Sequence, residues 1–283
     1  MMPDYIAQCA SLAMALEVSA TPKPGNIDRE HNYPDTRYEH FLASVVAAYP
    51  IIREAATQKK SFGELLAKAV RESNLWQNGG NTHFGAFILL IPLAMAEGDM
   101  AKAYKIVKNT TVQDAIYFYQ AFAKANVKVA PVSRLSLEDD NTITQIQQQN
   151  KTLYQLMQIA EHDDEIAGEW THGFPLTKKA HQLLTTNVKD TDINEAIVKT
   201  YLEILKDHPD TFIQTKHNRA TARQTSKKSA AIVDKIHKQG YLATLPEIKE
   251  FDKELLSKKI NPGSTADIII SGLFLLLLGG YRF

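Results

Sequence analysis

The chain has 283 residues, enough for one large domain or two small ones with a substantial buried core. Apolar residues make up 44% and charged residues 23%, the balance of an ordinary globular protein. Lys plus Arg and Asp plus Glu each number 32, so the net charge is zero and the basic excess of a nucleic-acid binder is missing, whereas a phosphate-bearing small ligand needs only a few local donors.

In chain order, the first apolar periodicity predicts a helix near 4–18. Cys9, the only cysteine, shares a face there with Ile6, Ala13 and Leu16 and reads as a small buried hydrophobe. A single cysteine excludes a disulfide framework or a Cys-based zinc site within the chain. The opening residues have neither the basic region nor the long apolar run of a signal peptide, and a cytoplasmic location is expected. Further helices are predicted near 37–57 and, from the Ser61/Glu64 capping spacing, over about 61–73. The next are expected near 82–97, 99–124, 142–161 and 174–185. Asp192 and Glu195 open a helix whose apolar face carries Ile193, Ala196, Ile197, Tyr201, Ile204 and Leu205. Beyond it lie helices near 219–238, from Thr244 (with Glu247, and Pro246 in the first turn) to about Lys259, and near 265–279.

The two longest apolar runs, Phe84–Ala96 and Ala266–Leu278, are each roughly 13 residues, short of the roughly 20 that span a bilayer. They read as buried central and C-terminal core helices. No helix pairs a basic face with an apolar one as a membrane-surface helix would, so no membrane partner is expected. With no alternating strand pattern and no βαβ spacing, the fold class is all-α. The polar stretch Leu137–Lys151 reads as a loop leading into a helix or a flexible link. It is not taken as a domain boundary, and one all-α domain is expected over residues 1–283.

Four segments crowd Gly, Pro and polar residues between helices. In Thr21–Asp35, Pro22, Pro24 and Pro34 forbid a regular helix and Gly25 permits unusual backbone geometry, so Lys23, Asp28, His31 and Asp35 are presented from a stiff loop. A capped loop with solvated charges has the same composition. In Asn78–Gly85, Asn81 or Thr82 would cap the apolar helix, and glycines ahead of a helix N-terminus expose N–H groups that favour an anion. The Gly-Lys-Ser/Thr signature of a Walker loop is missing, and His83 alone suits a structural role equally well. Glu161–Gly173 gathers acids and histidines able to hold Mg²⁺ or to move protons, although charge runs are commonly solvated faces. If that segment is helical, Glu165 aligns with Glu169 and Asp164 does not. In the segment from Asn261, Pro262 and Gly263 stop one helix and Ser264 or Thr265 caps the next, with Asp267 in its first turn.

The elements TPKPGNID, GGNTHFG, DEIAGEWTHGF and NPGSTAD, in that order, resemble the triphosphoribosyl-dephospho-CoA synthase family over roughly residues 5 to 280. The resemblance implies an all-α enzyme that attaches the triphosphoribosyl group of ATP to 3′-dephospho-CoA and releases adenine. By position it implies Asp28, Asp164, Glu169 and Asp267 as catalytic residues, with Asp28, Asp164 and Glu169 also as ligands of a Mg²⁺ that accompanies the polyphosphate. It implies Lys23, Gly25, Gly80, Asn81, Thr82, His83, Gly263 and Ser264 as substrate-binding residues. Lys216, His217 and Asn218 stand where the family carries Arg-Gly-Gly, so Lys216 is expected to meet phosphate as a point charge without the planar fork of Arg. That departure keeps two other readings open: a related pentosyl- or phosphoribosyltransferase with another acceptor, such as a one-carbon cofactor precursor, or a non-catalytic helical nucleotide-binding protein. The expected partners are small molecules, and a homo-oligomer is compatible with the sequence.

Overall fold

The computed structural model describes residues 1–124 and 142–283. Fifteen α-helices and no strand occur among them, in agreement with the expected all-α class. Of the polar stretch, Leu137–Asn141 lie outside the described residues and the remainder opens a helix at Thr142. The chain divides into two compact units, Met1–Leu12 with Glu39–Pro175, and Ala13–Tyr38 with Leu176–Phe283; α1 (Pro3–Ser19) contributes residues to both.

The first unit contains α2 (Tyr38–Ala55), α3 (Phe62–Trp76), α4 (Phe84–Met95), α5 (Met100–Lys108), α6 (Val112–Lys124), α7 (Thr142–Gln148), α8 (Leu153–Ala160) and α9 (Glu165–His172). Ser61 caps α3 by accepting the N–H of Glu64, as its spacing predicts. Apart from Gly85, every residue of α4 is buried, which explains a helix with no polar face. Pro92 interrupts it chemically: without an N–H, proline cannot bond the carbonyl of Ile88 four residues back. The indole N–H of Trp170, on α9, donates to that carbonyl at 3.1 Å, so the orphaned group stays satisfied in the core.

Two predicted helices are each two. The 99–124 stretch breaks at Thr110 and Thr111, where Thr111 and Asp114 exchange side-chain-to-backbone bonds and start α6 anew. The 142–161 stretch breaks at Asn150 (φ 51°), after which Thr152 and Gln155 form a full capping box for α8. In both cases a strong cap inside a periodic run starts a new helix.

The second unit contains α10 (Pro175–Asn187), α11 (Ile193–Asp207), α12 (Thr211–Lys216), α13 (Arg219–Gln239), α14 (Tyr241–Ser257) and α15 (Gly263–Leu278). Its core joins Val198 and Leu202 of α11 to Ile232, Val233 and Ile236 of α13 and to Ile248, Phe251 and Leu255 of α14. Small residues let these helices approach: Ser229 of α13 donates to the carbonyl of Leu202 at 2.8 Å. Gly272 of α15 lies so close to α10 that an added Cβ would meet Ala180 Cβ at 2.8 Å. Asp192 caps α11 as expected.

The Thr244–Glu247 spacing does not open α14, which starts at Tyr241 and contains Pro246. Gly240, at φ 89°, separates α13 from α14, and the hydroxyl of Thr244 donates back to the Gly240 carbonyl at 2.9 Å. No single helix among the described residues is long and apolar enough to cross a membrane.

Candidate functional site

In the second unit the Thr21–Asp28 segment is buried along its whole length, a correction to the expected presentation of its charges. A polar loop can be buried only if its backbone and side chains find partners. Here Asn194 of α11 brackets Thr21 with both its amide atoms, at 2.9 and 2.8 Å. The hydroxyls of Tyr201 and Tyr33 donate to the carbonyls of Pro24 (3.2 Å) and Gly25 (2.7 Å).

Gly25 adopts φ 77°, and an added Cβ would overlap the Ile260 carbonyl and lie 2.7 Å from Leu255 Cβ. Only glycine fits, because both the dihedral and the space exclude a side chain.

Lys23, expected to meet phosphate, is fully buried; its ammonium donates to Glu17 at 2.5 Å and to the Ile27 carbonyl at 3.4 Å. A lysine with no exposed surface needs a counter-charge, and Glu17 supplies it from α1. Burial pushes the Glu17 carboxyl up, and the Lys23 charge opposes that shift.

Asp28 is also fully buried. Its Oδ1 accepts the N–H groups of Glu30 (2.8 Å) and His31 (3.0 Å), while its Oδ2 is enclosed without a hydrogen-bond partner. The Nδ1 of His31 lies 3.3 Å from Asp28 Oδ1 and 3.3 Å from Oδ2 of Asp252 on α14. Asp252 Oδ1 in turn accepts the Gly25 N–H at 2.9 Å. Burial raises the Asp252 carboxyl to about 6; the Gly25 N–H and His31 pull it down, and the charge of Asp28 adds to the rise. The sequence reading missed Asp252 and Glu17. Asp252 had a signal, since it falls on the apolar row Ile248, Asp252, Leu255 of α14, where a carboxylate needs a reason to be.

The same unit brings Lys216, Gly263 and Ser264 together around α12. Lys216 is exposed, with its ammonium 5.2 Å above the Phe212 ring, and an added Cβ on Gly263 would lie 3.1 Å from that ring. Ser264 and Thr211 share a hydroxyl–hydroxyl bond of 3.0 Å. Neither Ser264 nor Thr265 caps α15, contrary to expectation. The cap comes from Asp210, whose Oδ2 accepts the N–H and hydroxyl of Thr265, both at 2.8 Å. This helix N-terminus, which by its dipole favours an anion, is therefore partly filled by the chain's own carboxylate. Asp267 is half-buried one turn further on. In the family's Arg-Gly-Gly position, Asn218 caps α13 and His217 Nε2 lies 3.1 Å from the Lys259 carbonyl, so no glycine opens the backbone there.

In the first unit, Gln77 staples the glycine loop: its side chain accepts the Gly79 N–H at 2.6 Å and donates to the Gly80 carbonyl at 2.9 Å. Gly80 has φ 76°, and Thr82 is half-buried beside it. Asn81 Oδ1 accepts the Phe84 N–H at 3.0 Å and so does the capping, although His83 holds the cap position. His83 is 1% exposed and sits edge-on to Phe41, with ring centroids 4.9 Å apart. Asp164 caps α9 by accepting the N–H groups of Ile166 (2.8 Å) and Ala167 (3.4 Å), and burial pushes its carboxyl up. Glu169, on α9 itself, is buried. Of the acidic segment, Asp164 thus serves as the cap of α9 and Glu169 lies within the helix.

Among the described residues no three or more His, Cys, Asp or Glu side chains are gathered so as to hold a metal ion. Among the buried side chains of the described residues, the unpartnered Asp28 Oδ2 is a carboxylate oxygen whose chemistry fits a hard cation.

The sequence of a Pseudomonas putida protein described as a 2-(5″-triphosphoribosyl)-3′-dephosphocoenzyme-A synthase is 25% identical over 297 residues, covering 97% of this chain and 94% of that one. A crystal structure from Archaeoglobus fulgidus, described as a triphosphoribosyl-dephospho-CoA synthase, superposes with a TM-score of 0.70 at 30% identity, covering 87% of this chain and all of the other. Residues 3–282 match the ATP:dephospho-CoA triphosphoribosyl transferase family, and the chain belongs to that family.

Proposed function

We propose that the chain performs its family's transfer with Asp28 at the reacting centre. In that reaction the C1′–N9 bond of ATP breaks and adenine leaves with the bonding electrons. A hydroxyl oxygen of 3′-dephospho-CoA forms the new bond to C1′, and its proton passes, directly or through water, to the departing base. Positive charge builds on the ribosyl carbon, so a nearby carboxylate stabilises the transition state or accepts the hydroxyl proton. The observation that carries this reading is the buried Asp28, whose Oδ2 is a buried carboxylate oxygen without a hydrogen-bond partner.

Asp267, half-buried near the start of α15, is the second carboxylate of this reading. Asp164, which also caps α9, and the buried Glu169 are the further carboxylates of this reading. Asn81, Thr82, His83 and Gly80 shape the approach to α4, and Gly25 shapes the loop that carries Asp28. Lys216, Gly263 and Ser264 offer the triphosphate a cation and a hydroxyl beside α12. Mg²⁺ fits this reading as a passenger of the triphosphate with one or two protein carboxylates, since Mg²⁺ keeps several waters in such sites. The proposed location is the cytoplasm.

A second reading, transfer to a different acceptor, is favoured by one observation: Asn218 and His217 fold the Arg-Gly-Gly position into a helix cap. Mass spectrometry of purified protein with ATP, Mg²⁺ and 3′-dephospho-CoA separates the two. Adenine together with the triphosphoribosyl adduct supports the family reaction, and adenine without adduct moves the acceptor elsewhere. Asp28→Asn and Asp267→Asn should each abolish turnover in folded protein; wild-type rates in both would remove the site assignment.

A further inference from the structure

A carboxylate on the core row of a helix is retained only where it meets specific partners. Asp252 is 1% exposed, on the same row of α14 as Ile248 and Leu255, and its two oxygens do different work. Oδ1 accepts the Gly25 N–H at 2.9 Å, a task that any acceptor of that shape could fill. Oδ2 lies 3.3 Å from His31 Nδ1, and that same nitrogen lies 3.3 Å from Asp28 Oδ1. One imidazole nitrogen therefore lies within ion-pair distance of two buried carboxylates, with hydrogen-bond geometry to neither. Asp28 Oδ1 is further held by the N–H groups of Glu30 and His31, which leaves Oδ2 as its single uncommitted atom.

We infer that Asp252 is a positioning residue for the transfer reaction: through His31 and the Gly25 N–H it fixes the orientation of the Asp28 carboxylate and keeps Oδ2 free for the reacting groups. Without the second carboxylate, the His31 imidazole is free to swing wholly onto Asp28 and occupy the atom the reaction needs. The inference rests on the reading of Asp28 given above. It assigns a role to a helix, α14, that the sequence motifs do not touch.

Asp252→Asn separates the two tasks, because an amide oxygen still accepts the Gly25 N–H while the charge facing His31 is lost. In steady-state assays of the full chain, Asp252→Asn should keep its melting temperature and hold KM for ATP within about twofold, while kcat falls by about 100-fold, the scale set by a misplaced reacting group. His31→Gln should lose a similar factor. The double variant should be little worse than either single one, since residues acting as a unit are non-additive. Asp252→Ala, which also removes the Gly25 acceptor, should in addition melt earlier. Wild-type kcat in folded Asp252→Asn, or a change in KM alone, overturns the inference even if Asp28→Asn is inactive. Wild-type turnover in Asp28→Asn removes the underlying reading, and this inference with it.

Discussion

Asp210 holds Thr265 twice, with one carboxylate oxygen accepting both its backbone N–H and its hydroxyl at 2.8 Å across 55 residues of sequence. The other oxygen accepts the Ile213 N–H at 3.0 Å, so α12 and α15 begin on a single side chain. The first unit has a counterpart. Asp114 accepts the N–H of Gly63 in α3 and the N–H and hydroxyl of Thr111 ahead of α6. Helix N-termini leave N–H groups without partners, and a shared carboxylate fills two of them while fixing the angle between helices. The two aspartates differ in balance. Hydrogen bonds outweigh desolvation at Asp114 and hold it low, whereas full burial wins at Asp210 and raises it to about 6.

That difference gives a pH signature. With its carboxyl raised from 3.8 to about 6, folded Asp210 keeps a proton that the unfolded chain releases between those values. Its contribution to stability is complete below the unfolded pKa and is lost as pH rises through about 6. Urea denaturation of wild type and Asp210→Asn at pH 4.5 and 7.5 should show wild type losing about 2 kcal/mol relative to the variant. A difference that stays flat with pH would place the proton elsewhere.

Gly25 and Gly240 share a left-handed φ, 77° and 89°, but not their surroundings. An added Cβ at Gly240 meets nothing within 4 Å, whereas at Gly25 it strikes the Ile260 carbonyl and Leu255. Gly240→Ala should cost about 1 kcal/mol from the dihedral alone. Gly25→Ala should cost about 3 kcal/mol as overlap adds to that strain, and should lower turnover because the loop carries Asp28. Thermal melts and the adenine-release assay read the two effects separately.

The sequence made the helices legible wherever their signals were local. Ser61 and Asp192 stand three residues before the N–H groups they cap, so spacing alone located α3 and α11. Thr244 and Glu247 have that same spacing and misled, because Gly240 had already ended the previous helix and Thr244 turned its hydroxyl back to it. In the site, the family motifs marked Gly25 and Asp28 but not what they bind. Asp252 is 227 residues from Gly25, and nothing local pairs them. Lys23 was expected among the substrate-binding residues because its motif resembles the family's. Its partner Glu17 was only six residues away, but three prolines and a glycine hid the chain path that folds the loop back onto α1.

The Lys23–Glu17 pair offers a direct check on the part Lys23 plays. Lys23→Met leaves the buried Glu17 charge without compensation and should destabilise the chain by about 3–5 kcal/mol. The double variant Glu17→Leu with Lys23→Met should recover most of that loss, because paired burial of two charges gains little over apolar packing. If Lys23→Met instead melts like wild type and loses only ATP affinity by calorimetry, the ammonium leaves Glu17 to meet the substrate.

Trp170 tests how α4 tolerates its internal proline. Its indole N–H is the donor observed on the Ile88 carbonyl that Pro92 cannot bond, and its ring packs edge-on against Phe62 with centroids 4.6 Å apart. Trp170→Phe keeps an aromatic surface but leaves that buried carbonyl unsatisfied, so a loss of about 2–3 kcal/mol is expected from the orphaned acceptor and the smaller ring. Adding Pro92→Ala restores a backbone N–H for Ile88 and should return part of the loss. In the wild-type background the same Pro92→Ala should gain less, since the carbonyl already has its donor. Thermal denaturation of the four proteins measures the coupling, and strict additivity would mean that the indole and the proline act independently.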